Sequence, residues 1–167
     1  MSAIVGIDFS TFAIDCVLLD EDTDTAQHHR VHLQGPGKLL ERVRRVRDQM
    51  PARTAWRDNG VIAAAIEEPF GGGNVKGTMP LLIVMGAIVA TFPPGLPLAL
   101  LRPDDWRKQC GLPIRAPRPV HKANAVRFAE EHWQGERPKV DDNAADAFGI
   151  AWAMRELRRA KEVSADA

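Results

Sequence analysis

The sequence is poor in the features that mark several protein classes. Its 167 residues include only two cysteines, Cys16 and Cys110, far apart and without CxxC spacing. That argues against a disulfide framework and against a thiolate zinc site. Long apolar runs are missing too. The longest, MPLLIVMGAIVATF, ends after fourteen residues at Pro93-Pro94-Gly95. A bilayer span needs roughly twenty, so a buried helix is expected here, with no membrane contact. The opening MSAIVGIDFS lacks the charged and apolar regions of a secretory signal, and a soluble cytoplasmic protein is expected. Net charge is absent as well, 22 Lys and Arg balancing 22 Asp and Glu, so the whole-molecule field announces no polyanionic partner. No repeat or low-complexity segment occurs. The length suits one domain with a real core, taken as residues 1–161, followed by a frayed tail at 162–167.

What is present is uneven charge on a legible series of elements. Asp8 to Asp24 holds six acids and no base; Lys38 to Arg57 holds seven bases against two acids, and Arg102 to Arg127 repeats that ratio. An acidic rim beside two basic segments would suit a polyanion held over a metal site. Apolar runs at 3–9, 14–20 and about 26–33, with DEDTD as a turn, read as an antiparallel meander. Helical spacing of Leu39, Leu40, Val43, Val46 and Met50 follows. Then come strand 61–67, a glycine loop at 71–73, a buried helix at 75–91 and a buried strand at 96–101. Four prolines make 103–120 mostly loop, with a short helix at 104–109; helices near 120–132 and 142–161 close the chain. This order predicts an α/β fold with one five-stranded mixed sheet, three antiparallel strands and then two parallel ones, flanked by helices.

Several carboxylates stand where charge is costly. Asp8 interrupts the apolar strand Ile4-Val5-Gly6-Ile7, and Glu67 and Glu68 end the unalternating run Val61–Ile66. On the last helix Asp142 and Asp146 are four apart and share a face, with Asn143 close to it. Asp141 or Asp142 is accounted for as a helix cap, but Asp146, flanked by alanines at least a turn inside, is not. The small residues around Asp146 allow that helix to lie close against the sheet, which brings its acids toward the strand ends. Carboxylates clustered without cysteine suit hard, oxygen-loving cations, Mg²⁺ or Mn²⁺.

Three segments, IVGIDFS, AIEEPF and DNAADAFGIAWA, resemble the acidic motifs of the RuvC-type Holliday junction resolvases of the ribonuclease H-like superfamily, in order over residues 3 to 155. The resemblance implies a ribonuclease H-like fold and a homodimer that cuts four-way DNA, each protomer hydrolysing one strand with Mg²⁺. It implies Asp8, Glu67 and Asp146 as metal-binding acids, with Asp142 or Asn143 completing a two-ion site. Phe70 matches an aromatic that contacts junction bases, and Lys108 and Lys122 match two lysines near the scissile phosphate. Arg107, Arg115 and Arg118, in the same basic stretch, are expected to contact DNA. The expected chemistry is in-line attack of water on a phosphodiester, leaving 5′-phosphate and 3′-hydroxyl ends.

The departures are specific. The family's usual acid or histidine three residues before the last Asp is Asn143 here, its proline and glycine after the first Asp are Phe9 and Ser10, and Gly71–Gly73 is this chain's own. These features resemble bacteriophage-encoded relatives and leave docking to a branch-migration motor outside what the resemblance implies. Alternatives are a flap or RNA–DNA hybrid nuclease and a non-catalytic junction binder. GIDFST also resembles the first phosphate loop of actin-like kinases, but those need two such domains. His28, His29 and His32 are expected at the surface; the four tryptophans are expected in the core or an interface. The buried helix, apolar nearly all round, is expected to pack one face on the core and the other in a dimer interface.

Overall fold

The computed structural model describes residues 2–35, 37–69, 75–135 and 140–165. Three strands, β1 (Ala3–Phe9), β2 (Ala13–Asp20) and β3 (Ala26–His32), form the meander, followed by α1 (Leu39–Gln49) and α2 (Arg53–Asp58). Then come β4 (Val61–Glu67), α3 (Val75–Val89), β5 (Leu98–Leu101), α4 (Pro103–Gln109), α5 (Arg118–His132) and α6 (Asp142–Ala165). The sheet order is β3-β2-β1-β4-β5. β1 pairs antiparallel with β2 and parallel with β4, β2 antiparallel with β3, and β4 parallel with β5. The C-terminal ends of β1, β3, β4 and β5 therefore share one edge of the sheet.

Both faces of the sheet are covered, which is why β1 and β4 read as continuous apolar runs. One face packs Ile4, Val17, Ala63 and Ala65 against α4, α5 and α6; the other packs Val5, Ile7, Ala64 and Ile66 against α1, α2 and α3. β1 and α6 approach closely. A Cβ added at Gly6 would lie 2.1 Å from the Ala147 carbonyl oxygen and 2.3 Å from the Ala151 nitrogen. Only glycine on the strand lets the helix backbone come so near. Gly149 serves another neighbour, since a Cβ there would meet the Trp106 ring at 2.7 Å.

The expected elements are present, with four differences. α2 was not anticipated: six residues are too few to show a period, although Trp56 on it is buried and stacks on Phe92 at 5.1 Å. The α4 and α5 helices begin earlier than expected because Pro103 and Pro119 occupy their first turns, where a missing N–H costs nothing. β5 is not a buried strand. It is the sheet's edge, and Leu98 and Leu100 are exposed. α3, as expected, packs one face on the core through Val84 and Ile88; Met79, Leu82 and Val89 on the other are exposed. α6 runs on to Ala165, and no helix among the described residues is long and apolar enough to cross a membrane.

Candidate active site

Period-two alternation along β4 puts Glu67 on the same face as Ala63 and Ala65, toward α6, and Glu68 on the other. Asp8 shares the α6 face with Ile4 and Gly6. From above, α6 brings Asp146 down onto the same edge. The three acids feel one another. Burial raises the Asp8 carboxyl well above its ordinary value, and the charges of Glu67, Asp146 and Asp15 push the same way. Burial also raises Glu67, against the pull of the Trp106 N–H and the Arg107 charge. Asp146 is pushed up to about 7 by burial and by Glu67, although Arg107, Lys122 and Arg118 act in the opposite sense. Burial is the largest cause for all three, and the charge of Glu67 adds to it at Asp8 and Asp146, which marks a place where negative charge is under-compensated. Among the described residues no three or more His, Cys, Asp or Glu side chains are gathered as a group that could hold a metal ion.

The rest of the expected set is placed as follows. Asp142 is ion-paired with Lys122 of α5, so the lysine sits at the acids' edge. Asn143 is half-buried and its side chain makes no hydrogen bond among the described residues. The cap of α6 is Asp141, whose Oδ1 accepts the Ala144 N–H at 3.0 Å, which frees Asp142 from that task. On α4 the cation whose charge reaches the acids is Arg107, while Lys108 points to solvent. Arg115 and Arg118 are exposed on the segment between α4 and α5 and at the start of α5. Glu68 turns away and meets Arg102 at 3.2 Å. Phe70 and the glycine loop 71–73 lie outside the described residues.

Two expectations are corrected. His28 is not a surface histidine: its side chain is 11% exposed and its Nε2 meets Asp15 Oδ1 at 2.7 Å. His29 and His32 are exposed. The acidic turn 20–24 is not a rim of the site. It lies at the opposite end of β2 from Asp15, and Arg155 and Arg158 answer Asp24 and Glu21. The contiguous acidic run in sequence splits because β2 carries the chain across the whole sheet between Asp15 and Asp20.

Three further residues support the acids; Arg107 was expected only as a DNA contact and Trp106 only as a core or interface residue, and Asp15 was not singled out. Trp106, fully buried, donates its indole N–H to Glu67 Oε2 at 2.8 Å and so fixes that carboxylate. Arg107 lies over the Trp106 ring at 4.7 Å, and its Nε is buried without a hydrogen-bond partner among the described residues. Asp15, buried on β2, stands directly opposite Asp8. An acid inside the apolar IDCVLLD was the available signal for Asp15; the basic stretch marked Arg107, but nothing in the sequence ties Trp106 to Glu67.

This sheet order, with the long helix α6 over β1, is the fold seen in solved structures of RuvC. Two structures of RuvC from Thermus thermophilus, each 17% identical, match 95% of this chain and 96% of their own, with TM-scores of 0.72 for RuvC alone and 0.68 for RuvC in complex with a Holliday junction substrate. Fowlpox virus resolvase in complex with Holliday junction DNA matches 93% of this chain and 98% of its own at 11% identity, with a TM-score of 0.58. No protein-family model and no curated protein matches by sequence. At these identities the likeness establishes the fold.

Proposed function

We propose that this chain is a divalent-metal-dependent endonuclease that resolves four-way DNA junctions. The observation that carries the reading is the crowding of Asp8, Glu67 and Asp146 at one sheet edge, each with its carboxyl raised. The donor set is all oxygen, from carboxylates and the Asn143 amide, which fits Mg²⁺ or Mn²⁺ better than a softer metal. Asp8, Glu67 and Asp146 would hold the metal, with Asp142 or Asn143 beside them. Bound there, two such ions would activate the attacking water and stabilise the leaving oxygen of a phosphodiester.

The chain's own residues supply the remaining tasks. Trp106 orients Glu67. Lys122, held by Asp142, and Arg107, with its free buried Nε, bring positive charge to where a scissile phosphate would lie. Lys108, Arg115 and Arg118, exposed around α4 and α5, would add backbone contacts and salt-dependent affinity, and Phe70 would contact junction bases. Residues 1–161 would work as one nuclease domain.

Paired cuts across a two-fold junction call for a two-fold enzyme. The unpartnered apolar residues of α3, Met79, Leu82 and Val89, suit the isologous interface of a homodimer. A Cβ at Gly86 would meet nothing within 4 Å, so the helix surface there is open to close approach.

The test is a panel of labelled four-way, flap, fork and RNA–DNA hybrid substrates with and without Mg²⁺. Symmetric nicks in the four-way junction alone support the reading. Preference for flaps or hybrids would assign another nuclease activity of the same fold, and tight junction binding without cleavage would make the chain a non-catalytic binder.

A further inference from the structure

Asp8, Asp15 and Arg30 form a row across three strands. The register pairs Asp8 with Asp15 and Asp15 with Arg30, so all three side chains leave the same sheet face. Two acids directly opposite each other repel, and Asp15, 2% exposed, has no water to relieve it. The answer comes from β3. Arg30 Nε donates to Asp15 Oδ1 at 2.7 Å, and His28 Nε2 meets the same oxygen at 2.7 Å.

Arg30 reaches further. Its Nη2 donates to Asp141 Oδ1 at 2.8 Å and lies 2.6 Å from Asp141 Oδ2. Asp141 in turn caps α6 through the Ala144 N–H. One guanidinium therefore links the strand neighbour of Asp8 to the cap of the helix that carries Asp142, Asn143 and Asp146. The planar fork of arginine suits this task; the single ammonium of lysine does not. A second anchor lies one turn further on, where Ala147 and Ala151 rest on Gly6. Packing at Gly6 sets the height of α6 above β1. The first turn is held by buried Ala144 and Ala145 and by the Asp142–Lys122 pair, and Arg30 adds the one tie from its cap to β2 and β3 among the described residues.

We propose that Arg30 is a positioning residue for the cation site, holding the first turns of α6 against β1 so that acids from helix and strand meet the metal in a geometry made beforehand. The role toward the metal rests on the nuclease reading above; the bridge from sheet to helix does not. Ligands fixed by neighbouring hydrogen bonds bind metal about 10- to 100-fold more tightly than unsupported ones.

The test uses the full chain and two variants. Arg30→Gln leaves buried Asp15 with His28 alone and risks misfolding. Asp141→Asn avoids that risk, because asparagine caps a helix about as well as aspartate and Arg30 keeps Asp15. Amide hydrogen exchange and Mn²⁺ affinity by calorimetry are measured on each folded variant and on the double variant. In Asp141→Asn the amides of residues 145–148 should exchange about tenfold faster while those of β1 and β2 hold. The Mn²⁺ dissociation constant should rise about tenfold. The double variant should be no worse than Arg30→Gln, since Asp141→Asn removes the charge that Arg30 pairs with and Arg30→Gln removes the pair itself, so both act through one bridge. Unchanged α6 exchange, a uniform rise over sheet and helix, or additive effects would each overturn the proposal. If wild-type protein takes up no Mn²⁺, the cation site itself is refuted, whatever the exchange shows.

Discussion

Acids sit at both ends of the sheet, and the two ends treat them in opposite ways. At the β2–β3 turn Asp20 accepts the N–H groups of Asp22 and Thr23 at 3.0 and 2.9 Å and the Thr23 hydroxyl at 3.1 Å. Burial pushes Asp20 up, but these donors outweigh it and leave its carboxyl below the ordinary value of 3.8. Next to it, Asp24 holds buried Arg155 at 3.0 Å. At the other end Asp8, Glu67 and Asp146 face one another with one indole N–H and a few cations around them, and all three are raised. The first arrangement is satisfied and contributes to folding. The second leaves negative charge under-compensated, which is the electrostatic pattern expected of a functional site.

That contrast can be broken by substitution, and the largest effect belongs to the raised acids. Asp8→Asn and Glu67→Gln should each lower single-turnover junction cleavage at least about a thousandfold, or ~4 kcal/mol of barrier, while gel-shift affinity for the junction stays. Loss of junction binding together with cleavage would mean that these acids serve the fold instead. At the satisfied end, Arg155→Met should destabilise the protein by about 1–2 kcal/mol in denaturant titration, because it removes the hydrogen bonds to the Thr23 carbonyl and Asp24 and a guanidinium lying 4.1 Å over Trp152. Cleavage by the folded fraction should be unaffected.

Between these extremes stands Asp142, paired with Lys122 but not the cap. Asp142→Asn should slow cleavage about tenfold, roughly 1.4 kcal/mol, with little change in melting temperature. A fully active Asp142→Asn beside an inactive Asn143→Ala would hand the ligand role to Asn143. The smallest effect is expected at Glu68, which turns to Arg102 on the far side of β4. Glu68→Gln should cleave within about twofold of wild type; an inactive Glu68→Gln would shift the assigned strand register by one residue.

Most of the architecture was legible because its signals are local. Apolar runs gave β1, β2 and β4, and the alanines around Asp146 announced a helix lying close to the sheet. Asp8, Glu67 and Asp146 stood out as charges in apolar surroundings, and their convergence followed once β1, β4 and α6 were neighbours. What stayed hidden depends on partners distant in sequence. Arg30 and Asp141 are 111 residues apart, and Trp106 reaches Glu67 across 39. Edges are equally invisible from composition: Leu98 and Leu100 look like core residues but lie on a strand with one neighbour. His28 misled for a related reason, since only the β2–β3 register puts it against Asp15.

The central claim is that the crowded acids oppose folding and are relieved by a divalent cation, and thermal melting of the wild-type chain against pH tests it most directly. Between 3.8 and about 7 Asp146 holds more protons in the folded protein than in the unfolded chain, so rising pH favours unfolding over that window. Raised Asp8 and Glu67 act in the same direction. In EDTA the midpoint should therefore fall as pH rises through about 7. Asp146→Asn should flatten that fall. Millimolar Mn²⁺ should raise the midpoint more at pH 8 than at pH 5.5, because at the higher pH the cation does not compete with protons for the carboxylates. A wild-type midpoint that Mn²⁺ leaves unmoved at pH 8 would contradict the account.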